Sequence, residues 1–320
     1  MRARVVAALL TLAVAAGCGS SSTPPPAVTV SPVEAQPAGA QEVTTAPVAG
    51  DADCDREASL RPGPQPAPGA MPPGSTMAAI ADRGRLVVGV DQNTYFFGFR
   101  NPSSGELEGF DIDLAREIAR SIFGSPDRID LRVVDASQRE SALQSGEVDL
   151  VVRTYSITCE RKRDVEFSTV YYYANQRILA VKGSGIDSAA ALSGKHVCAV
   201  WGTTSLSTLF ALDPRPLLFG VDRWTDCLVM LQQGQVDAIS TDDVVLHGLA
   251  AQDPNVEVVG PSIAVEPYGV GIRKESSDLV RFVNGVLDQM RTDGTWQRLY
   301  DARLSSLGPS PGPPAARYQD

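Results

Sequence analysis

The sequence predicts an α/β protein made of two similar lobes. Two short patterns, each found twice along the 320 residues, are the basis for this prediction. A glycine and a basic residue precede a short apolar run at 84–90 (GRLVVGV) and again at 194–200 (GKHVCAV), and each run suits a buried strand. Residues 143–150 (LQSGEVDL) return as 231–238 (LQQGQVDA), where a helix runs into a glycine and Val-Asp leads into an apolar strand. A single large sheet would not explain both repeats.

Helices are expected between and after these strands. Apolar residues at helical spacing mark 112–123, with Asp111 placed to cap the first turn, and the same pattern marks 279–290. Strands that alternate with helices indicate parallel sheets covered by helices, whose ligands bind beyond the carboxyl ends of the strands. Four and five residues after each Val-Asp aspartate stand two polar pairs that we expect to face one cleft: Arg153 with Thr154, and Thr241 with Asp242.

The first 18 residues are typical of an export signal. Two arginines precede the apolar stretch 5–16, which is too short to span a bilayer comfortably as a helix. Small residues directly before Cys18 resemble a lipobox, in which the cysteine receives lipid and becomes the new N-terminus, although Ala15 stands where leucine is usual. We therefore expect a lipoprotein signal peptide at 1–18 and a lipid anchor on the extracytoplasmic face of the cell membrane. An ordinary secretory signal with a chance cysteine is the alternative.

Proline-rich segments flank the region that contains the repeats. Residues 19–75 are rich in Pro, Ala, Ser, Thr and Gly and contain no aromatic residue, a composition that cannot build a core. We expect a disordered tether, about 3 Å long per residue where polyproline geometry forms. The stretch around Cys54 would be held to the folded body by a disulfide. The tail at 309–320 is also expected to be disordered.

The cysteines and the charge narrow the class of protein. Cys18 apart, four cysteines remain, an even number that suits disulfides in an exported chain. Of the three pairings we favour Cys198 with Cys227, which fall in one lobe, and Cys54 with Cys159. A metal site is disfavoured because no pair has CxxC spacing and the chain has two histidines. The net charge of −10 argues against nucleic-acid binding, which needs a basic face.

Eight segments in order along the chain resemble one protein family. They are LVVGVD (86–91), EGFDIDLAREIA (108–119), ALQSGEVDL (142–150), SITCERKRDVEFSTVYY (156–172), GTTS (202–205), VDAISTD (236–242), YGVGIRK (268–274) and DGTWQRLY (293–300). Together they are similar to the polar amino-acid-binding proteins of bacterial ABC importers, extracellular solute-binding family 3, and most of all to the glutamine- or glutamate-binding lipoproteins of actinobacteria. The resemblance covers residues 76–307 and depends on the ordered set.

The resemblance implies two Rossmann-like lobes joined by a two-segment hinge, the periplasmic binding protein-like type II fold. We expect the first lobe at 76–175 and 268–308 and the second lobe at 178–263. Ligand that bridges both lobes would favour a closed state, because it gains contacts with the second lobe only when the cleft shuts.

A free amino acid carries a carboxylate and an ammonium group, so its site needs an arginine and an acid on separate supports. Arg161 and Asp242 are the candidates, because a guanidinium fork donates two parallel hydrogen bonds to a carboxylate and an aspartate accepts from ammonium. From the charge pattern alone, Arg161 would belong to a solvated run of charges at 160–164. The resemblance implies that Arg161 holds the α-carboxylate and Asp242 the ammonium group. It implies four further cleft positions: Ser156, Thr158, Thr204 and Asp91.

The side chain of the ligand is expected to be acidic. Compared with glutamine-binding members of the family, Thr94 and Ala136 stand where some members have aromatic residues, and Arg153 replaces a small residue. An added arginine near the side-chain end would favour a carboxylate, because a desolvated charge needs a partner. Glutamate or aspartate is therefore preferred over glutamine or asparagine. Arg139 and Arg100 would serve the same purpose, with an ordinary surface charge as the alternative for each.

The leading hypothesis is an exported, monomeric binding protein that uses no cofactor and presents its ligand to a membrane permease or a sensor domain. An exported enzyme on the same two-lobed fold, of the dehydratase or cell-wall hydrolase type, is the main alternative. It would need a general acid or base in the cleft, and the sequence shows no nucleophile elbow, zinc-type histidine pair or Ser-x-x-Lys at a strand end. A third alternative is a purely structural envelope protein, which would show no ligand-dependent thermal shift.

Overall fold

The computed structural model describes residues 35–47 and 54–320. The expected signal peptide, Cys18 and the first part of the expected tether lie outside the described residues. Residues 36–320 form one compact unit, which contains two lobes, each built around its own large β-sheet.

No helix within the described ranges is both long enough and apolar enough to cross a membrane.

Strands and helices alternate through both lobes. The strands are β1 (Gln41–Glu42), β2 (Leu86–Val90), β3 (Asn93–Thr94), β4 (Gly98–Arg100), β5 (Leu107–Glu108), β6 (Ile129–Val133), β7 (Leu150–Val151), β8 (Val165–Phe167), β9 (Tyr172–Val181), β10 (His196–Val200), β11 (Leu217–Val221), β12 (Ala238–Asp242), β13 (Val256–Tyr268) and β14 (Gly271–Arg273). The helices are α1 (Thr76–Arg83), α2 (Phe110–Phe123), α3 (Arg139–Ser145), α4 (Arg161–Asp164), α5 (Thr204–Phe210), α6 (Trp224–Gln232), α7 (Asp243–Ala250), α8 (Ser277–Thr292) and α9 (Thr295–Arg303).

The two sheets share one topology. The first lobe has the strand order β6-β2-β7-β14-β8, with β2 parallel to β6 and β7 and with β14 antiparallel to its neighbours. The second lobe has the order β11-β10-β12-β9-β13, with β10 parallel to β11 and β12 and with β9 antiparallel to its neighbours. β1 extends the outer edge of this second sheet. The repeated Gly-basic runs therefore form the equivalent strands β2 and β10, and the prediction of two similar α/β lobes is confirmed.

The central strands of both sheets are buried beneath helices, as expected of parallel strands. All five residues of β2 and of β12 are buried. The predicted helices at 112–123 and 279–290 are present as α2 and α8, and each buries its apolar face. One detail of the prediction is wrong: Asp111 does not cap α2. Gly109 occupies the cap position with φ 131°, and the Asp111 carboxylate bonds to other elements instead.

Two long antiparallel strands, β9 and β13, connect the lobes. Their pairing runs from Tyr172 opposite Tyr268 to Val181 opposite Val256, with an irregularity between Val259 and Ala264. Beyond the Tyr172 end, Tyr171 N donates to the carbonyl of Tyr268 at 2.9 Å. At this end β8 lies just before β9 in the chain and β14 lies just after β13, and both belong to the first sheet. These strands form the two-segment hinge.

Part of the expected tether is bound to the folded body. β1 pairs with β11, and Val43 lies in the hydrophobic core at 7% exposure. Further along, Ser59 Oγ donates to the carbonyl of Phe167 at 2.7 Å and accepts from Asn284 Nδ2 at 2.9 Å. The structure therefore differs from the expectation of disorder at 35–47 and 54–75. These stretches lack a core of their own, but their backbone forms hydrogen bonds with the edge of the second sheet and with α8.

The C-terminal tail is also packed, which differs from the expected disorder at 309–320. Tyr318 forms a bridge with Ser59, and Arg317 pairs with Asp55 at 2.7 Å. Asp320 pairs with Arg281 at 2.5 Å. Composition missed this order because the partners of the tail are far away in sequence.

Two disulfides join the cysteines of the described residues in the pairing that the sequence favoured. Cys198–Cys227 links β10 to α6 inside the second lobe, and Cys54–Cys159 links the N-terminal segment to the first lobe.

Candidate functional site

A cleft between the lobes gathers polar side chains from both sheets. Its lining residues are Arg139, Arg153, Thr154, Ser156 and Arg161 from the first lobe and Thr203, Thr204, Ser205, Trp224, Thr241, Asp242 and Val245 from the second. The cavity volume between them is about 10 Å³, which is about the space of one water molecule. The two lobes are therefore closed on each other in this structure, and an amino acid would enter only when they move apart.

The turn after β7 brings Arg153 and Thr154 into the cleft. Thr154 has a left-handed backbone (φ 39°), which is uncommon for a β-branched residue. Its N–H donates to Asp111 Oδ2 at 2.7 Å, and Asp111 Oδ1 accepts from the Tyr171 hydroxyl at 2.8 Å. Burial raises the pKa of Asp111 to about 7. A buried carboxyl of α2 thus holds the turn that positions two lining residues.

Arg153 is held by an acid from the end of the neighbouring strand. Its guanidinium lies 3.3 Å from Asp91, and both side chains are almost fully buried. The Thr94 hydroxyl donates to the same carboxylate at 2.5 Å. Among the described residues, Nε of Arg153 has no hydrogen-bond partner. The charge of Arg153 is therefore matched within the protein while one buried donor stays unsatisfied.

Arg139 and Arg161 form a second cationic group. Their guanidinium carbons lie 4.1 and 4.9 Å from the ring centre of Tyr155, and each donates to the Gly202 carbonyl of the second lobe at 2.8 Å. Glu140 lies 3.3 Å from Arg161. Burial and the adjacent Arg161 charge lower the pKa of Arg139 to about 9. Two neighbouring cations of this kind favour an anionic group beside them.

The second lobe contributes hydroxyl groups at the start of α5 and the end of β12. Thr203 caps α5 by accepting from a backbone N–H of its first turn at 3.3 Å. The Thr204 hydroxyl donates to Glu266 Oε2 at 2.9 Å. Ser205 Oγ lies 3.0 Å from Thr241 Oγ1. These bonds fix four neighbouring hydroxyl groups, of which Thr204 links the cleft to a buried acid.

Asp242 ends β12 and is followed directly by α7. Its Oδ2 accepts from the hydroxyl of Tyr268 on the hinge strand β13. Its buried Oδ1 has no hydrogen-bond partner within the described residues. Burial and then the nearby Glu266 carboxylate raise the pKa of Asp242 well above its usual value. A buried acid with an unpaired oxygen and a second acid nearby suits a bound cation.

The structure brings together eight of the ten residues proposed from sequence as ligand contacts. Those that line the cleft are Arg139, Arg153, Thr154, Ser156, Arg161, Thr204, Thr241 and Asp242. Asp91 pairs with Arg153 instead of lining the cleft. Thr158 accepts from the backbone N–H of Arg161 at 3.1 Å and lines an adjacent groove beside Trp201. Arg100 lies outside the cleft and bonds to Gln92 and to the carbonyl of Gly105.

Five residues of the site were missed by the sequence reasoning. Thr203 and Ser205 belong to the GTTS motif, from which one position alone was taken. Trp224 follows β11 closely, so counting past every strand end would have found it. Val245 and Glu266 gave no signal, since one lies within a helix and the other in the hinge.

Within the described part of the chain, no group of three or more His, Cys, Asp or Glu side chains could hold a metal ion.

Known proteins share this architecture. The model of the bacterial extracellular solute-binding proteins, family 3, matches residues 86–304. The chain is 39% identical over 226 residues to the ABC transporter glutamine-binding protein GlnH of Bacillus subtilis, which covers 70% of this chain and 83% of that protein. It is 31% identical over 243 residues to the glutamate-binding protein GluB of Corynebacterium glutamicum, with coverages of 72% and 82%. A solved ancestral arginine-binding protein bound to glutamine is 35% identical, with a TM-score of 0.65 over 69% of this chain and 98% of that one.

The two lobes, the two-strand hinge and the polar cleft define a binding protein of the periplasmic type II fold. The chain belongs to the bacterial extracellular solute-binding proteins, family 3. The relatives compared above are named as binding proteins and not as enzymes.

Proposed function

We propose that the protein captures a small polar amino acid by closing its lobes around it, with glutamate or aspartate preferred over glutamine or asparagine. The observation that carries the proposal is that Arg161 of the first lobe and Asp242 of the second line one cleft. An α-amino acid presents opposite charges on adjacent groups, and this pair of side chains complements them. The relatives in B. subtilis and C. glutamicum are named for binding glutamine and glutamate.

The α-carboxylate would bind Arg161, whose guanidinium is already positioned. Arg161 Nη1 donates to the carbonyl of Ser156 at 2.7 Å, and Nη2 donates to Gly202. Tyr155 packs beneath the guanidinium, and Glu140 pairs with it. Because these contacts hold the side chain, little conformational entropy is lost when a carboxylate binds.

The ammonium group would bind Asp242, with Glu266 and Thr204 as supporting groups. Asp242 Oδ1 is buried and lacks a partner among the described residues, so an ammonium donor would satisfy it. Glu266 accepts the Thr204 hydroxyl hydrogen, which leaves the lone pairs of that oxygen available to a ligand donor. A second buried carboxylate near Asp242 adds to the preference for a positive charge.

The balance of charge in the cleft lining favours an acidic side chain. Three arginines line the cleft, against Asp242 as the acid among the lining residues. Once Arg161 and Asp242 are matched to the α-groups, Arg153 is left for the ligand side chain. Asp91 offsets the charge of Arg153, but the unsatisfied Nε is still a donor. A carboxylate would bind this guanidinium more strongly than an amide, because its full negative charge adds Coulomb attraction to the hydrogen bond.

We further propose that the protein acts outside the cytoplasm as a monomer on a lipid anchor at Cys18. The two disulfides suit an oxidising compartment. The B. subtilis relative is named as part of an ABC transporter. A permease that accepts the ligand, or a sensor domain that reports its capture, would recognise the closed form of the two lobes, which we assign to 76–175 with 268–308 and to 178–263.

Calorimetric titration of the processed chain with the twenty amino acids tests the proposal. We expect glutamate or aspartate to bind at micromolar concentration or below, and Arg161→Ala and Asp242→Ala to abolish binding. Arg100→Ala, an arginine substitution outside the cleft, is the matched control and should bind like the wild type. Chemical turnover of any amino acid, or no binding at all, would refute the proposal.

The side-chain preference has its own test. Arg153→Gln should move the preference from glutamate towards glutamine, because it replaces a charged donor with a neutral one. If the wild type binds glutamine best and Arg153→Gln leaves that order unchanged, the acidic preference is wrong while the amino-acid site stands.

A further inference from the structure

We infer that Tyr95 and Gly248 form a contact between the lobes that limits how closely the cleft can shut, and that this contact sets ligand affinity without touching the ligand. Neither residue lines the cleft. The inference rests on the proposed function, because it concerns the closure that a ligand would favour.

The contact is a close approach of one backbone to another. Gly248 is buried in α7 of the second lobe, and Tyr95 lies in the turn between β3 and β4 of the first. A Cβ atom placed on Gly248 would lie 3.0 Å from Cβ of Tyr95, 3.5 Å from its N and 3.6 Å from its Cα. The ring of Tyr95 packs on Phe96 and Phe99, with centroids 4.6 and 4.9 Å away. The turn therefore has little freedom to move away from a larger residue.

The contact lies on a direct continuation of both walls of the cleft. α7 begins immediately after Asp242, and Val245 lines the cleft one turn before Gly248, on the same helix face. On the other side, Tyr95 follows Thr94, whose hydroxyl donates to Asp91, the partner of Arg153. A displacement at the contact would thus separate the acid of one lobe from the arginine of the other.

Glycine at this position has two effects of opposite sign. It is unfavourable inside a helix compared with alanine or leucine, because its backbone loses more conformational freedom. It also leaves room for the turn at Tyr95. A larger residue at 248 should therefore stabilise helix α7 and at the same time hold the two lobes apart. If a substitution at 248 weakened binding by damaging the fold, it would lower stability and affinity together. A loss of affinity without a loss of stability would therefore indicate that the lobes are held apart.

The test compares Gly248→Ala and Gly248→Leu with the wild type, all bearing both disulfides. We expect affinity for the best-binding amino acid to fall about threefold for alanine and at least tenfold for leucine, with faster dissociation. The Tm of the ligand-free variants should be equal to or above that of the wild type. Tyr95→Gly, which removes the nearest atom, should restore part of the affinity of Gly248→Ala. Ala251→Leu, at an exposed position just after α7, is the matched control and should bind normally.

Small-angle scattering with and without ligand supplies the second measurement. The wild type should become more compact on binding, and Gly248→Leu should become less so. If the wild type binds no amino acid, the proposed function fails. If the wild type binds and Gly248→Leu binds equally well with equal compaction, the inference is overturned and the proposed function stands. Loss of affinity together with a lower ligand-free Tm in both variants would also overturn it.

Discussion

Ligand binding is expected to expel a proton from Asp242. Burial, then Glu266 and Asp243, raise the pKa of this carboxyl, while the Tyr268 hydroxyl and Arg139 act in the opposite direction with a smaller total effect. The ligand-free protein therefore keeps the proton at a pH where an exposed aspartate has lost it. An ammonium group beside Oδ1 favours the ionised form. Affinity should accordingly rise with pH up to the ligand-free pKa of Asp242 and level off above it.

The size of the change in affinity with pH follows from the release of one proton for each ligand that binds. Where release is complete, affinity changes about tenfold per pH unit, or about 1.36 kcal/mol. Asp242→Asn removes the charge opposite the ammonium group, and the loss of one member of a buried charge pair costs about 2–5 kcal/mol, or about 30- to 5,000-fold. The residual binding should lose its pH dependence. Glu266→Gln should lower the pKa of Asp242 and move the pH-dependent range downwards.

Calorimetry in buffers of different ionisation enthalpy measures the number of protons released. Asp111, whose pKa is raised to about 7 by burial, is another group near the cleft that titrates in this range. Asp111→Asn therefore serves as the control and should still release a proton. The reasoning is refuted if the wild type binds with no proton exchange and constant affinity between about pH 5 and 8, because Asp242 would then be ionised before the ligand arrives.

Three further changes test separate parts of the structure. Arg161→Lys should weaken binding at least tenfold by titration, because an ammonium group cannot reproduce the planar fork; binding equal to the wild type would contradict the assigned role. Replacing Cys198 and Cys227 by alanine opens a loop with a sequence separation of 29, so the free energy of unfolding in urea should fall by about 3–4 kcal/mol. Asn284→Ala leaves buried hydrogen-bonding groups at 59–60 and at Thr169 unpaired. We therefore expect the free energy of unfolding to fall by at least about 2 kcal/mol, with faster proteolysis near 59–60. Protection from proteolysis equal to the wild type would show that this segment is held by other contacts.

The repeated sequence patterns were sufficient to predict the two sheets and most of the cleft. Strands β2 and β10 carry the Gly-basic runs, and β7 and β12 follow the Val-Asp units, so the rule that ligands bind beyond strand ends identified positions 153, 154, 241 and 242. This worked because burial and strand direction are local properties of the sequence. The proposed role of Arg161 came from the family resemblance, since the charges at 160–164 around it are typical of a solvated run.

Features that depend on partners far away along the chain could not be predicted from the sequence. The composition predicted a disordered tether at 19–75, yet Val43 lies in the core where β1 pairs with β11, and Ser59 is held by α8 and the first sheet. The same limitation applies to Arg153. Its sequence indicated a charge in need of an outside partner, whereas the fold supplies Asp91 at 3.3 Å. The preference for an acidic ligand therefore depends on the unsatisfied Nε and on the surplus of arginines.

The two charged halves of the site are supported in different ways, and this difference bears on closure. The Arg161 guanidinium is fixed by Tyr155 and Glu140 of its own lobe and also reaches the second lobe through Gly202. The acid half depends on the hinge, because Tyr268, which donates to Asp242, and Glu266, which raises its pKa, both belong to β13. A hinge movement that shifts Tyr268 and Glu266 relative to Asp242 should therefore change the ionisation of Asp242. By linkage, a ligand that ionises Asp242 must in turn favour the hinge position that best stabilises the charge.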